Sequence, residues 1–162
     1  MFRRSLVLLA SLLGSQTTPA LAADPVAEYA ERSGSLPPPY AWNWGALILS
    51  DGTVTVTYCR GYATEPPGCA TVTGRVADGA LDGIAAAVAR AGLPGAPMRQ
   101  ADEVPVGGGS RDGAVWLAGR RFDIPAFPSD ADAQRAAATL AAILSAVPPD
   151  LPGQARLAVL AP

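Results

Sequence analysis

The sequence predicts a single small α+β domain, with an antiparallel sheet of about five strands and two helices packed on one face, in the order β-β-β-α-β-β-α. Three observations carry this expectation. Two pairs of short β-type runs flank the turn signals Asp51-Gly52 and Ala118-Gly119. Two segments, Leu81 to Val88 and Ala133 to Val147, carry apolar residues at helical spacing. At 162 residues and 49% hydrophobic content, the chain has one domain's length and enough apolar material for a core.

Residues 1–22 read as an export signal. Arg3 and Arg4 give a positive start, an apolar run follows from Leu6 to Leu13, and Ala20-Leu21-Ala22 supplies a small–x–small cleavage site. The run is shorter than the roughly 20 apolar residues a membrane span needs, so cleavage after Ala22 is expected, with no stable membrane insertion afterwards. Arg3-Arg4-Ser5-Leu6-Val7 also fits a twin-arginine signal, although the Leu-rich run suits general secretion better. The expected location is secreted or periplasmic, in a bacterium by the Ala, Gly, Pro and Arg bias. Residues 23–39, ending in Pro37-Pro38-Pro39, read as an Ala/Pro-rich extended linker, with a helical turn over Val26 to Arg32 as the alternative. The folded domain is then residues 40–162.

Trp42 to Leu49 and Thr53 to Tyr58 form the first hairpin around Asp51-Gly52. A two-residue turn pairs Ser50 with Thr53, so Leu49, Leu47 and Gly45 face Val54, Val56 and Tyr58 on an apolar core side. On the other side Ile48, Ala46 and Trp44 face Thr55, Thr57 and Cys59. Ala70 to Val76 is the third strand. Asp78 is expected to cap a helix with the stripe Leu81, Ile84, Ala85 and Val88, ending at Gly92. A Pro/Gly-rich connection leads to the second hairpin, Ala114 to Leu117 and Arg120 to Ile124, with Val115, Leu117, Phe122 and Ile124 on an inner face. Ser129-Asp130-Ala131-Asp132 opens the last helix as a capping box, its stripe is Ala133, Ala136, Leu140, Ile143, Leu144 and Val147, and Pro148 stops it. The tail from Gln154 to Leu160 is left as an edge strand or a loose end.

Composition excludes much chemistry. All 12 basic residues are Arg, and there is no His. A Ser–His–Asp triad, a Cys–His dyad, a Ser–Lys pair and a His-based zinc site are therefore impossible. An acidic balance dispersed along the chain argues against a nucleic-acid partner, which needs a clustered basic face. Carboxylates remain for acid–base work, and the nearest in sequence are Asp102-Glu103 and Asp78 with Asp82. A solvated loop and a capped helix account for both pairs. Gly107-Gly108-Gly109-Ser110 lacks the Lys of a phosphate loop and leads into a strand, so it reads as a turn. Asp130-x-Asp132 lacks the Gly and distal Glu of a calcium loop. No enzyme, metal or cofactor is expected.

Two features point to binding. Tyr40, Trp42 and Trp44 alternate, so all three project from one face of the first strand, the Thr-lined face in the register above. Such a stripe stacks on sugars or grips an extended peptide, unless a neighbouring segment covers it. Trp116 beside Arg121 reads as a surface cation–π pair. The second feature is the pair Cys59 and Cys69, expected to form a disulfide in an oxidising compartment and to tie the loop between them. A loop held at both ends loses little entropy when grasped, as a protease inhibitor requires.

Val54-Thr55-Val56-Thr57-Tyr58-Cys59, followed by Pro67-Gly68-Cys69-Ala70, resembles the first disulfide region of the Streptomyces subtilisin inhibitors. The resemblance implies a secreted sheet-plus-helix protein. That family's second disulfide, which supports its reactive loop, has no cysteines here, and no reactive-site residue carries over. The expectation is an exported, non-catalytic interaction module for a protein, peptide or glycan, with Tyr40, Trp42 and Trp44 on its contact surface. The alternative is a secreted protease inhibitor presenting the loop 59–69.

Overall fold

The structure, a computed structural model, describes residues 23–161. The expected export signal of residues 1–22 and its cleavage site lie outside the described residues. The fold is α+β: an antiparallel sheet of six strands in the order β4-β3-β2-β1-β5-β6, with three helices. The strands are β1 (Pro25–Arg32), β2 (Trp42–Leu49), β3 (Thr53–Arg60), β4 (Cys69–Arg75), β5 (Ser110–Leu117) and β6 (Arg120–Ile124). The helices are α1 (Ala80–Ala91), α2 (Ala133–Ala146) and α3 (Leu151–Leu160).

The sixth strand corrects the linker expectation. Residues 25–32 form β1, which lies inside the sheet between β2 and β5, so the folded domain starts well before Tyr40. Ala27 and Tyr29 alternate inward and are fully buried, while Pro25 occupies the first strand position, where its missing N–H costs no ladder bond. The Ala and Glu content of this segment favours helix locally, but partners on both edges override a preference of about 0.5 kcal/mol per residue or less. Residues 33–41 connect β1 to β2, and the Ser33 amide donates to the Trp42 carbonyl at 3.0 Å.

The first hairpin forms where expected, shifted by one residue. Ile48 pairs with Val54, Leu47 with Thr55, Ala46 with Val56, and Trp44 with Tyr58. The loop is Ser50-Asp51-Gly52, closed by the Gly52 amide on the Leu49 carbonyl at 3.0 Å, and Gly52 takes a left-handed φ of 82°. A three-residue loop of this kind moves the pairing by one residue relative to a two-residue turn, and a slip of one exchanges the two faces. The core side of β2 is therefore Ala46 and Ile48, not Leu47 and Leu49, matched to Val54 and Val56 of β3. The second hairpin pairs Val115 with Phe122 and Gly113 with Ile124, and the expected inner face holds, with Val115, Phe122 and Ile124 buried and Leu117 packed partly buried against the core.

All three helices contribute to the core on one sheet face, where Ala27, Tyr29, Ile48, Val56, Val115 and Ile124 meet Ile84 and Val88 of α1, Leu140 and Ile143 of α2, and Leu151 of α3. α2 lies over β1 and β5, α3 over β3 and β4, and α1 packs against α2. Gly113 lets α2 come close, since a Cβ there would sit 3.0 Å from Leu140 Cδ2 and 2.3 Å from the Glu28 carbonyl oxygen. α1 ends at Gly92 as expected, but its N-cap is Gly79 rather than Asp78, and Ala85 is exposed while Ala87 and Ala91 are buried. α2 starts after Asp132 without a capping box: the Asp132 carboxylate instead accepts the Arg99 backbone N–H at 3.0 Å and the Ser129 hydroxyl at 3.0 Å. α3 corrects the expected loose or extended tail. Pro152 stands in its first turn, where a proline needs no donor, and Leu151 and Ala155 anchor it.

Candidate functional site

The one-residue shift decides where the aromatic residues of β2 go. Trp42 and Trp44 alternate with Ala46 and Ile48, so they lie on the helix-covered face rather than the Thr-lined face expected for them. Trp44 sits opposite Tyr58, and Cys59 sits opposite Asn43, which separates the tryptophans from the disulfide. Tyr40 precedes the strand and is 70% exposed, so the expected trio divides into one solvent-facing ring and two half-buried ones.

On the helix side the two tryptophans join two tyrosines in a row across three strands. Trp44 packs on Tyr29 with ring centroids 5.0 Å apart and planes tilted 42°. Trp42 stacks on Tyr58 at 6.5 Å and 13°, diagonally across the β2–β3 pair. α3 passes above this end of the sheet without closing on it. Trp42, Trp44 and Tyr58 form the floor of an open cleft of about 330 Å³, whose far wall is Pro152, Gly153 and Arg156.

At the β1 end of the row stands Glu31. Its Oε2 accepts the Trp44 Nε1–H at 3.2 Å and the Tyr29 hydroxyl at 3.3 Å. Its Oε1 accepts the Arg111 Nε–H at 2.9 Å and lies 2.8 Å from a terminal nitrogen of the same guanidinium. The partners come from three neighbouring strands, with Glu31 directly opposite both Trp44 and Arg111. Burial and then the adjacent Glu31 charge push the Tyr29 phenol up to about 12. The hydrogen bond and charge of Glu31 raise Arg111 further above its ordinary value. Beyond this cluster, between α2 and the β1–β5 rim, opens a second cleft of about 500 Å³, bordered by Tyr29, Glu31 and Arg111 on one side and the Ala136, Leu140 and Leu144 face of α2 on the other.

Cys59 and Cys69 form the expected disulfide, across a directly paired position of β3 and β4 with Cα atoms 4.1 Å apart. The loop between them is pinned to the β1–β2 connection: the Gly61 amide donates to the Ala41 carbonyl at 2.7 Å and the Tyr62 hydroxyl to the Leu36 carbonyl at 2.5 Å. Thr64, Glu65, Pro66 and Pro67 stay exposed at its tip.

Other residues singled out in the sequence take structural places. Trp116 and Arg121 are directly paired and form the expected cation–π contact at 4.9 Å, on the sheet face that carries no helix, where Arg121 also reaches Glu28 and Asp123. Asp78 and Asp82 border a shallow depression beside Arg75, and Asp102 and Glu103 are exposed in the connection before β5. Gly107 and Gly108 form a turn leading into β5. Asp132 serves the α2 entry described above, and Asp130 is exposed. Among the described residues no three His, Cys, Asp or Glu side chains converge as a metal site would require, and no helix is long and apolar enough to cross a membrane.

Neither a protein-family model nor a curated protein matches this chain. The residues missed by sequence reasoning are Tyr29, Glu31, Tyr58 and Arg111. A signal for the first two was present: Ala27, Tyr29 and Glu31 alternate at strand period within the segment read as a linker. Arg111 lies 80 residues from Glu31, and no local pattern joins them.

Proposed function

We propose that this protein is an exported, non-catalytic binding module whose contact surface is the aromatic cleft of Trp42, Trp44 and Tyr58 facing α3, with an extended peptide or a glycan as its ligand. The observation that carries the reading is the stacked, half-buried pair Trp42 and Tyr58 at the floor of an open cleft. Flat aromatic faces held rigidly in a concave site offer apolar contact at low entropic cost, and Arg156 adds polar donors at the rim. Tyr40, displaced from the row, stays outside this surface. Export is supported by the N-terminal sequence pattern together with the Cys59–Cys69 disulfide, which belongs to an oxidising compartment. A non-catalytic role is supported by the use of both Glu31 oxygens in fixed hydrogen bonds and by a composition without His or Lys.

Acrylamide quenching of tryptophan fluorescence in the Trp116→Phe protein tests the reading, since only Trp42 and Trp44 then report. Red-shifted, readily quenched emission that is lost in the further variant Trp42→Phe supports the cleft. Blue, protected emission from both tryptophans overturns it. The exposed tip Thr64–Pro67 between disulfide-tied ends keeps protease inhibition as the second reading. Slow single cleavage by subtilisin within that loop, with the halves still joined, favours it, and complete digestion removes it.

A further inference from the structure

We propose that the second cleft, between α2 and the β1–β5 rim, is a separate site for a small amphipathic carboxylate, with Arg111 holding the carboxylate and the α2 face taking the apolar body. The site does not depend on the aromatic cleft facing α3, from which Trp44 and Glu31 divide it.

The first support is the state of Arg111. A guanidinium carries five N–H donors in a rigid fork. Glu31 Oε1 engages one edge of that fork, through Nε at 2.9 Å and a terminal nitrogen at 2.8 Å. The edge formed by the two terminal nitrogens is the geometry that binds a second carboxylate bidentately. The Arg111 side chain is 64% exposed, against 20% for Glu31, so the fork meets solvent far more than its half-buried anchor does.

The second support is the anchor. Glu31 is itself tied by Trp44 Nε1 and the Tyr29 hydroxyl, and Tyr29 is buried in the core. The carboxylate cannot turn away without leaving the indole and phenol donors unsatisfied, so Arg111 is held in one orientation before any ligand arrives. A surface arginine paired only with a mobile acid has no such constraint.

The third support is the shape and lining of the space beside it. A volume of about 500 Å³ lies within the range of about 300–1,000 Å³ typical of small-molecule sites. Apart from the polar cluster and Ser110, its walls are apolar: Pro125, Ala126 and Pro128 after β6, and the Ala136, Leu140 and Leu144 face of α2. Leu144 is 39% exposed there, an apolar side chain with no cover of its own. One cation, positioned by its pairing with Glu31 and set beside a largely apolar wall, matches a ligand with one anionic head and a hydrocarbon body. It does not match a polyanion, which needs several cations, or a neutral sugar, which needs many polar groups along the wall.

The test is isothermal titration calorimetry of the full chain with sodium decanoate, with 1-decanol and acetate as comparators. Decanoate binding at one site, with no detectable acetate binding and at least tenfold weaker decanol binding, is expected. Arg111→Met keeps the apolar stem and removes the fork, and it should bring decanoate down to the affinity of decanol. Ala137→Phe, at an exposed α2 position bordering the cleft, should weaken decanoate and decanol together while leaving Arg111 and Glu31 in place. Absence of decanoate binding by the natural chain overturns the proposal. So does decanoate binding that survives both substitutions in proteins with unchanged circular dichroism.

Discussion

The register of the first hairpin fixes which face Trp42 and Trp44 present, and it is open to a direct energetic test. Ile48 is 0% exposed between Ala27 of β1 and Val54 of β3, both also fully buried. Leu47, its neighbour, is 38% exposed on the sheet face without helices, opposite Glu28 and Thr55. Truncating Ile48 to Ala removes three carbons from the core at about 0.8 kcal/mol each and leaves a cavity that the fixed neighbours close only in part, for a total of about 3 kcal/mol. Truncating Leu47 to Ala removes the same number of carbons from a partly wet surface and should cost about 1 kcal/mol or less. For a domain of this size the difference of about 2 kcal/mol corresponds to roughly 8 °C between the two melting temperatures. Urea and thermal unfolding of Ile48→Ala and Leu47→Ala, measured side by side, read it out. A two-residue turn would put Leu47 in the core and Ile48 on the Thr side, so that register demands the opposite order. Equal or inverted losses would refute the pairing described here, and with it the placement of both tryptophans beneath the helices.

Three further outcomes are expected. Replacing both Cys59 and Cys69 by Ala should lower stability by about 2–3 kcal/mol without unfolding the domain, because the bond closes a short loop; denaturant unfolding checks this, and an unchanged midpoint would contradict it. Asp132 is held below the usual carboxylate range, chiefly by the Arg99 backbone N–H and also by Ser129 and Arg135. A depressed folded-state pKa gives stability that is complete above the unfolded value near pH 4 and is lost as the pH falls through the lower folded value. Asp132→Asn should therefore flatten the acid limb of a urea-midpoint against pH profile below about pH 4, and an unaltered limb would contradict the assignment. Tyr29 has the reverse sign: with its phenol pushed up to about 12, its contribution is intact below the unfolded value near pH 10 and declines as the pH rises through the folded one. Near-ultraviolet absorbance titration of the protein and of Tyr29→Phe isolates that ionisation, and a Tyr29 transition near pH 10 would mean that the ring is not buried against Glu31.

What the sequence determined is what lies within a few residues of itself. Alternation placed β2, β3, β4, β6 and the second half of β5, but not residues 110–113, the half of β5 that carries Arg111; apolar spacing with Gly92 and Pro148 bounded α1 and α2, and two cysteines ten apart predicted their bond. Each of these rests on local sterics or on a short loop, and each was legible without knowing any neighbour. Tertiary structure decided the rest. Asp51-Gly52 signals a turn equally well as a two-residue or a three-residue loop, and only the burial of Ile48 with Val54 selects the longer one. Residues 25–32 gain their extended form from β2 and β5 on either side, against a local helical preference. Leu151 to Leu160 is helical because Leu151 and Ala155 find a sheet to bury against, although its own sequence opens on Pro152 and Gly153. The cluster of Tyr29, Glu31, Trp44 and Arg111 draws on three strands whose order in the sheet differs from their order in the chain. A carboxylate's partners are set by distance in space, and distance in space is what a sequence read along its length does not contain.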